Sequence, residues 1–311
     1  MTTVQQLDKL TVHLRDVQLD STSLFNPREN LPVQGFLVTA ENYRYRYPAS
    51  PYTYKVGRVE LSSKEKHLYV DSVLVDGDWA KNESLKASNN AQATVYNLKA
   101  PSIRIDNMDL LHAFQTKLLD IGSISLANPK LDILQTSASA QADQDALVQS
   151  KYEQLSDFIT ELKVGEINLQ DVSYTQHIKD STVKLSQQLK EGSLTLTGLH
   201  IDSLFIYEQK PRLPLQSVAL AGRSYKHWIP DNAQTFAIGR FRYSSRNEEL
   251  TARSVELDSD IQRNDRLKRS ADASKNLFDI SAPFFRVTGL DVISAMTVSY
   301  THLTLPTICS V

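Results

Sequence analysis

The feature that most constrains the fold of this chain is a long internal repeat. When the 311-residue sequence is shifted by 182 positions, residues 5–113 align with residues 187–295 without a gap, and 31 of the 109 aligned pairs are identical. Unrelated sequences aligned in this way match at about one position in sixteen. A common origin explains the excess, so the sequence predicts a tandem duplication with a period of 182 residues.

The duplication predicts how the chain is divided. A first repeat covers residues 1–186 and a second, truncated repeat covers residues 187–296. The alignment ends just before Val298, where the segment VSYTHLTLPT resembles the translation of a transposase-type sequencing adapter at all ten positions. Residues 297–311 are therefore interpreted as a non-native tail, and the chain as a fragment of a longer protein whose true termini are unknown.

Short stretches of alternating apolar and polar residues predict strands in both repeats. Alternation places successive side chains on opposite faces, which is typical of a strand with one buried face. The intervening turns carry Asp, Asn, Ser or Lys rather than Gly, which favours an antiparallel meander. The apolar positions include Leu10-Val12-Leu14, Val59-Leu61, Leu68-Val70, Val73-Val75, Ile103-Ile105, Ile124-Leu126, Leu131-Ile133, Ile167-Leu169 and Leu194-Leu196.

Two stretches have helical rather than strand periodicity. Residues 107–119 place apolar side chains on one helical stripe, with Asn107 or Asp109 available as N-cap, and residues 140–162 place a broader apolar stripe that includes Ile159 and Leu162. Each repeat is therefore expected to be mainly β with two amphipathic helical inserts. The predicted order is strands over 1–106, a helix near 107–119, strands over 120–135, a helix near 140–162 and strands over 163–186.

Residues typical of catalysis or metal binding do not form a recognisable pattern. None of the 7 histidines stands at metal-ligand spacing such as HExxH, and the motifs GxSxG, GxxxxGK and GxGxxG do not occur. The single cysteine, Cys309, excludes a disulfide framework within the chain. Lys and Arg total 34 against 36 Asp and Glu, and the resulting net charge of -2 gives no reason to expect nucleic acid as a partner. The sequence thus predicts a protein that is not an enzyme, with no catalytic, cofactor-binding or metal-binding residues.

The most unusual segment is YRYRYPASPYTY. Its first three tyrosines, Tyr43, Tyr45 and Tyr47, fall on one face of a strand, with Arg44 and Arg46 on the other. Aromatic faces line lipid grooves and membrane interfaces, but they also pack across strands. Because the second repeat keeps bulk but mostly not tyrosine here, cross-strand packing is favoured. The counterparts are Tyr225, His227 and Ile229.

A basic run, Arg263-Asn264-Asp265-Arg266-Leu267-Lys268-Arg269, lies in the second repeat. The matching residues 81–87 of the first repeat are nearly neutral. The run is therefore interpreted as a solvated loop rather than as a binding site.

One segment resembles a known family. Residues 100–135 read APSIRIDNMDLLHAFQTKLLDIGSISLANPKLDILQ, in which a strand and a short helix precede a pattern of the form I..I.L.NP.L.I. This resembles the AsmA-like family of bacterial envelope proteins, the wider group that includes TamB and YhdP. The residues that carry the pattern are Ile121, Ile124, Leu126, Asn128, Pro129, Leu131 and Ile133.

The resemblance implies a fold and a function. The fold would be a long, curled antiparallel sheet that forms an apolar groove for phospholipid acyl chains, in a periplasmic protein anchored in the inner membrane outside this fragment. Such a protein would conduct lipid between membranes and support outer-membrane integrity. The groove would be lined by inward apolar strand positions, although the sequence does not assign the concave face. A repeat-built scaffold that binds other proteins is the alternative, and an enzyme with its site outside this fragment is a third.

Overall fold

The structure, a computed structural model, describes residues 4–18, 20–21, 32–88, 90–136, 159–179, 183–202, 214–229, 233–267 and 276–292. These residues form one large, mostly antiparallel sheet of 14 strands with three short helices between strands. The expectation of a mainly β chain is confirmed. The strands are β1 (Val4–Gln6), β2 (Lys9–Arg15), β3 (Gly35–Arg46), β4 (Tyr52–Ser62), β5 (His67–Gly77), β6 (Thr94–Asp106), β7 (Leu118–Ala127), β8 (Lys130–Thr136), β9 (Glu161–Lys179), β10 (Val183–Ile201), β11 (Ser217–Trp228), β12 (Gln234–Ser244), β13 (Glu249–Ser259) and β14 (Ile280–Thr288). The helices are α1 (Trp79–Leu85), α2 (Leu110–Thr116) and α3 (Ile261–Leu267), and a 3-10 turn, Lys86–Ser88, follows α1.

The strands follow chain order across the sheet with two interruptions. Strands β1 and β2 both pair with β3, and strands β7 and β8 both lie between β6 and β9, so the 14 strands occupy twelve positions. Strand β9 pairs in parallel with β7 and β8, which differs from the antiparallel sheet predicted from the sequence. The connection over residues 137–160 exceeds the dozen residues that a parallel pairing requires.

Strand boundaries and register recur at the interval of the sequence repeat. Strands β3, β4 and β5 begin and end 182 residues before β11, β12 and β13, and α1 and α3 are related in the same way. The registers correspond as well, since Tyr45 lies opposite Tyr54 and His227 opposite Phe236. The two segments therefore share one backbone arrangement, while the boundaries drawn at 186 and 296 stay predictions.

Several strands change the face that carries apolar side chains at one position near their middle. In β5 this position is Ser72, where the left-handed backbone (φ 55) lets Val70 and Val73 point to the same face. Asn, Asp and Ser fit such positions because their short polar side chains tolerate left-handed geometry better than bulky ones. We call this line across the sheet the crease. Its left-handed residues are Asn42, Ser72, Asp171, Ser224 and Ser254 within strands and Asn128 between β7 and β8, while Gly57 and Gly239 lie beside Ser72 and Ser254 without a left-handed backbone.

Ring contacts show that apolar side chains before and after the crease lie on the same face of the sheet. A Cβ on Gly222 would lie 2.5 Å from the Phe241 ring, so Phe241 stands over Gly222. The same ring lies 6.4 Å from the Tyr225 ring. Gly222 and Tyr225 are three residues apart and would face opposite ways in a regular strand. The reversal at Ser224 brings them to one face.

The best-buried apolar cluster lies on the central strands β7 and β9, beside α2. It contains Met108, Ile121 and Val164, each at most 5% exposed. The helix predicted near 107–119 is confirmed in a shorter form, α2. Its N-cap is Asp109, whose side chain accepts a hydrogen bond from the His112 backbone at 3.0 Å.

Helices α1 and α3 were not predicted, since residues 1–106 were assigned to strands alone and the basic run from Arg263 to a loop. Each helix has seven residues, most of them polar, so neither shows the apolar stripe from which α2 was predicted. Both begin after an aspartate whose side chain accepts a hydrogen bond from the backbone N–H three residues later in the chain. The distance is 2.9 Å in each case. These pairs are Asp78 with Lys81 and Asp260 with Arg263.

The helix predicted near 140–162 lies mostly outside the described residues. Its final residues are strand instead, because β9 begins at Glu161. Leu162 lies opposite Leu119 of β7 and Ile201 of β10. These cross-strand apolar contacts stabilise strand geometry at a position that the sequence pattern placed on a helix.

Replacing Asp109 with asparagine should reduce stability in a pH-dependent way. The Lys66 ammonium donates to the Asp109 carboxylate at 2.7 Å and holds the pKa of Asp109 below its usual range. A lowered folded-state pKa contributes stability above the unfolded pKa, near 3.9, which is lost as pH falls through the folded pKa. Because the pair is partly exposed, we expect a loss of about 0.5 kcal/mol at pH 7.

Urea denaturation of the Asp109→Asn protein and the parent at several pH values measures this effect. The difference in free energy of unfolding should narrow below about pH 4. A difference that stays constant into acid would contradict the assignment to the carboxylate charge.

Candidate functional site

The main feature of the molecule is an apolar face formed by two rows of directly opposed residues. One row, the aliphatic row, crosses all twelve strand positions, and the other, the tyrosine row, crosses eleven. Neither row contains a charged residue. The aliphatic row is Leu10, Ala40, Val59, Val70, Ile103, Leu126, Leu169, Leu194, Leu220, Tyr243, Leu250 and Val287. The tyrosine row is Tyr45, Tyr54, Val75, Leu98, Leu131, Tyr174, Leu189, Tyr225, Ile238, Val255 and Ala282.

The rows run across the strands on either side of the crease. With neighbouring strands about 4.8 Å apart, the aliphatic row extends for roughly 50 Å. Since the crease brings side chains on both of its sides to one face, the two rows form one continuous surface. The sequence predicted many of these apolar positions, but not that they align.

Most of the aliphatic row is only half-buried. Leu126, Leu169 and Leu194, at its centre, are neither buried nor fully exposed, whereas Tyr243 is 6% exposed. At one edge of the sheet Leu10 is 58% exposed. The main contacts of the described strands are with their hydrogen-bonded neighbours. A face packed under a second layer would be buried, so this one retains accessible apolar surface.

Four tyrosines form a cluster near the end of the tyrosine row that contains Tyr45. The Tyr45 and Tyr54 rings lie 6.0 Å apart across β3 and β4, and the Tyr52 and Tyr96 rings lie 4.7 Å apart. The Tyr52 hydroxyl donates to the Thr94 carbonyl at 3.2 Å. Burial raises the pKa of Tyr52 and Tyr54, so both phenols stay neutral. The cluster thus offers an apolar body with polar tips.

The YRYRY segment makes cross-strand contacts, which are compatible with both packing and a lipid-lining face. Tyr43 and Tyr45 are half-buried opposite Val56 and Tyr54. Arg44 lies on the other face and is exposed. Tyr47 follows the end of β3 and is 48% exposed.

The opposite face of the sheet is charged, and most of its ion pairs lie between neighbouring positions. Arg58 and Glu60 approach to 2.6 Å, and Arg286 and Glu249 to 2.5 Å. The sheet is therefore amphipathic, with one apolar and one charged face.

No cluster of three or more potential metal ligands occurs in the described part of the chain. Two histidines there have a carboxylate within 3.5 Å: His200 is 2.8 Å from Glu161 and 47% exposed, and His67 is 3.4 Å from Glu60 and 23% exposed. Within the same residues, no helix is both long and apolar enough to cross a bilayer. The expectations that the protein has no catalytic residues, cofactor or metal site stay predictions.

No family model matches this chain, and no curated protein matches it in sequence. The resemblance of residues 100–135 to AsmA-like envelope proteins therefore stays an expectation. The apolar face is the feature from which function can be argued.

Proposed function

We propose that this protein is not an enzyme and that its apolar face binds the acyl chains of phospholipids. The observation that carries this proposal is the continuity of the two rows across the sheet. A structural core needs apolar residues only where another layer covers them, whereas a surface that guides hydrocarbon needs them without interruption. Both rows meet that requirement over every described strand that they cross.

The dimensions suit hydrocarbon chains. One leaflet of a bilayer has an apolar layer about 15 Å thick, half of the full hydrocarbon thickness. A row of roughly 50 Å could therefore hold several acyl chains in succession. Each buried CH2 group contributes about 0.8 kcal/mol, so even partial coverage of one chain provides appreciable binding.

The twist of the sheet supports a groove. Neighbouring strands rotate by about 20–25° on average, and bulge-like irregularities increase the local twist. The crease places a left-handed residue in each of β3, β5, β9, β11 and β13. We place the apolar face on the inner side of a curled sheet, where it would shelter lipid from water. On this proposal the protein lies in the periplasm, is anchored in the inner membrane outside this sequence, and conducts lipid in support of outer-membrane integrity.

The proposal is tested by placing charges in the aliphatic row. Leu169 and Leu194 lie opposite each other near its centre. In the L169E/L194E protein we expect at least about tenfold less co-purifying phospholipid by mass spectrometry, because charges are strongly disfavoured beside hydrocarbon. The matched control is N168E/T195E, whose positions also lie opposite each other but on the other face. It should retain lipid.

A second measurement uses the unaltered protein, so its result does not depend on whether a variant folds. A photoreactive fatty acid should crosslink to the row residues of the unaltered protein and not to the charged face. The proposal is overturned if the purified protein contains no phospholipid and the probe labels neither row. The alternative, a scaffold that binds other proteins, would then be the better interpretation.

A further inference from the structure

The charged face carries a second feature, a cleft lined by four arginines. It has a volume of about 530 Å³ and lies across β9 to β13. Arg240 of β12 lies opposite both Arg223 and Arg253, and Arg242 lies in the next row beside Thr251. The small side chains of Ser193 and Ala221 leave room between them. We call this feature the arginine cleft.

Within the described part of the chain, carboxylates balance little of the charge of these arginines. Arg223 has one partner, Glu191 at 3.5 Å, and both side chains are more than half exposed. Among the described residues, Arg240, Arg242 and Arg253 have no ion-pair partner. Of the other carboxylates in the described ranges, that of Asp171 lines the cleft. Like charges directly opposite each other in a sheet are destabilising, so an anion in the cleft would relieve this repulsion.

The first repeat provides an internal comparison. The residues 182 positions before Arg223, Arg240 and Arg253 are Glu41, Arg58 and Asp71, which lie opposite one another in the same register. There the charges alternate in sign, and Arg58 also pairs with Glu60 at 2.6 Å. The same backbone thus accommodates a balanced set of charges. The uncompensated arginines are therefore not a requirement of the fold.

We propose that the arginine cleft binds an anion of the phosphate class, as a phosphate monoester or diester group. The planar guanidinium group donates two parallel hydrogen bonds to phosphate oxygens, which makes arginine well suited to this ligand. Strands hold the four arginines at fixed spacing. The chain as a whole has a net charge of -2, so the four arginines are not part of a generally basic protein. This site lies on the face opposite to the apolar rows and is independent of acyl-chain binding.

The test uses calorimetric titration of the whole chain with inorganic phosphate at constant ionic strength. The R223E/R253D variant places at these two positions the charges that Glu41 and Asp71 have in the first repeat, but Glu191 then lies opposite a second carboxylate, so the fold of the variant is checked by circular dichroism. We expect its phosphate affinity to fall at least about tenfold, because two bidentate donors are lost. The control, R15D/K64E, has the same change in net charge at exposed positions outside the cleft. It should bind phosphate like the parent.

A second arm distinguishes the source of the phosphate group. Sedimentation with phosphatidylglycerol vesicles is compared for the parent and the R223E/R253D variant. If the parent binds inorganic phosphate and R223E/R253D does not, the ligand is a free anion. If the parent binds only the vesicles and R223E/R253D does not, the ligand is a lipid headgroup. The proposal is overturned if neither probe binds, or if R223E/R253D binds both as tightly as the parent.

Discussion

Replacing Gly165 with alanine is expected to lower the free energy of unfolding by roughly 3 kcal/mol, at the upper end of the usual cost of overpacking. A Cβ at this position would lie 2.7 Å from the carbonyl oxygen of Gly122, closer than side-chain carbons approach other heavy atoms. The obstacle is backbone, so it cannot move without separating β7 from β9. The flanking residues Ile121 and Val164 are 5% and 2% exposed, so that separation would also disturb the best-buried cluster.

Chemical denaturation measures this loss, and Gly35→Ala is the matched control. A Cβ on Gly35 would meet the Ser63 Oγ at 3.4 Å, an ordinary contact. This control should change stability by less than about 1 kcal/mol, since it mainly restricts the unfolded chain. Equal losses of stability in the two variants would show that the close approach of Gly122 and Gly165 is not what makes alanine unfavourable at position 165.

Much of the strand content could be predicted from alternation because it is a local pattern. Leu68-Val70 and Val73-Val75 were both recognised, although the structure joins them in the single strand β5. The change of phase between them made one strand look like two. Ser72 carries little local signal of its left-handed backbone, since serine also occurs in ordinary strands. The crease therefore became visible only when strand partners were known.

The candidate site was less predictable because it depends on register. Leu126 lies opposite Leu169 across a parallel pairing, and Leu169 lies opposite Leu194 across an antiparallel one. Alternation predicts the face of each residue within its own strand but not which residues of different strands align. The parallel pairing of β7 with β9 is non-local in the same sense. Consequently the sequence predicted apolar positions but not continuous rows.

The arginine cleft was missed for a similar reason. Arg223, Arg240 and Arg253 are isolated in the sequence and form a group only through the pairing of β11, β12 and β13. The basic run that begins at Arg263 was more conspicuous, yet part of it lies in α3. A cluster of charge in the sequence was therefore a poorer guide to a cluster in space than the register of the strands.

A second large loss of stability is expected at a buried side chain that joins α1 to the chain before β6. Asn82 is 0% exposed, and its Nδ2 donates to the Gln92 carbonyl at 2.8 Å while its Oδ1 accepts from the Gln92 N–H at 2.7 Å. Leucine would remove both hydrogen bonds and leave two backbone groups without their partner. Because each unsatisfied group costs about 1–3 kcal/mol, Asn82→Leu should destabilise the protein by roughly 3 kcal/mol.

Substitution at the equivalent position shows whether the two repeats unfold together. Asn264 is 6% exposed in α3, and its backbone N–H donates to the Asp260 carbonyl at 2.9 Å, as that of Asn82 does to Asp78. Ser84→Leu, at an exposed position of α1, is the control and should change stability by less than about 0.5 kcal/mol. Because β9, β10 and β11 join the repeats through continuous pairing, Asn82→Leu and Asn264→Leu should each shift a single unfolding transition of the whole sheet. Two separate transitions, each sensitive to one substitution, would mean that each repeat is stable without its neighbour.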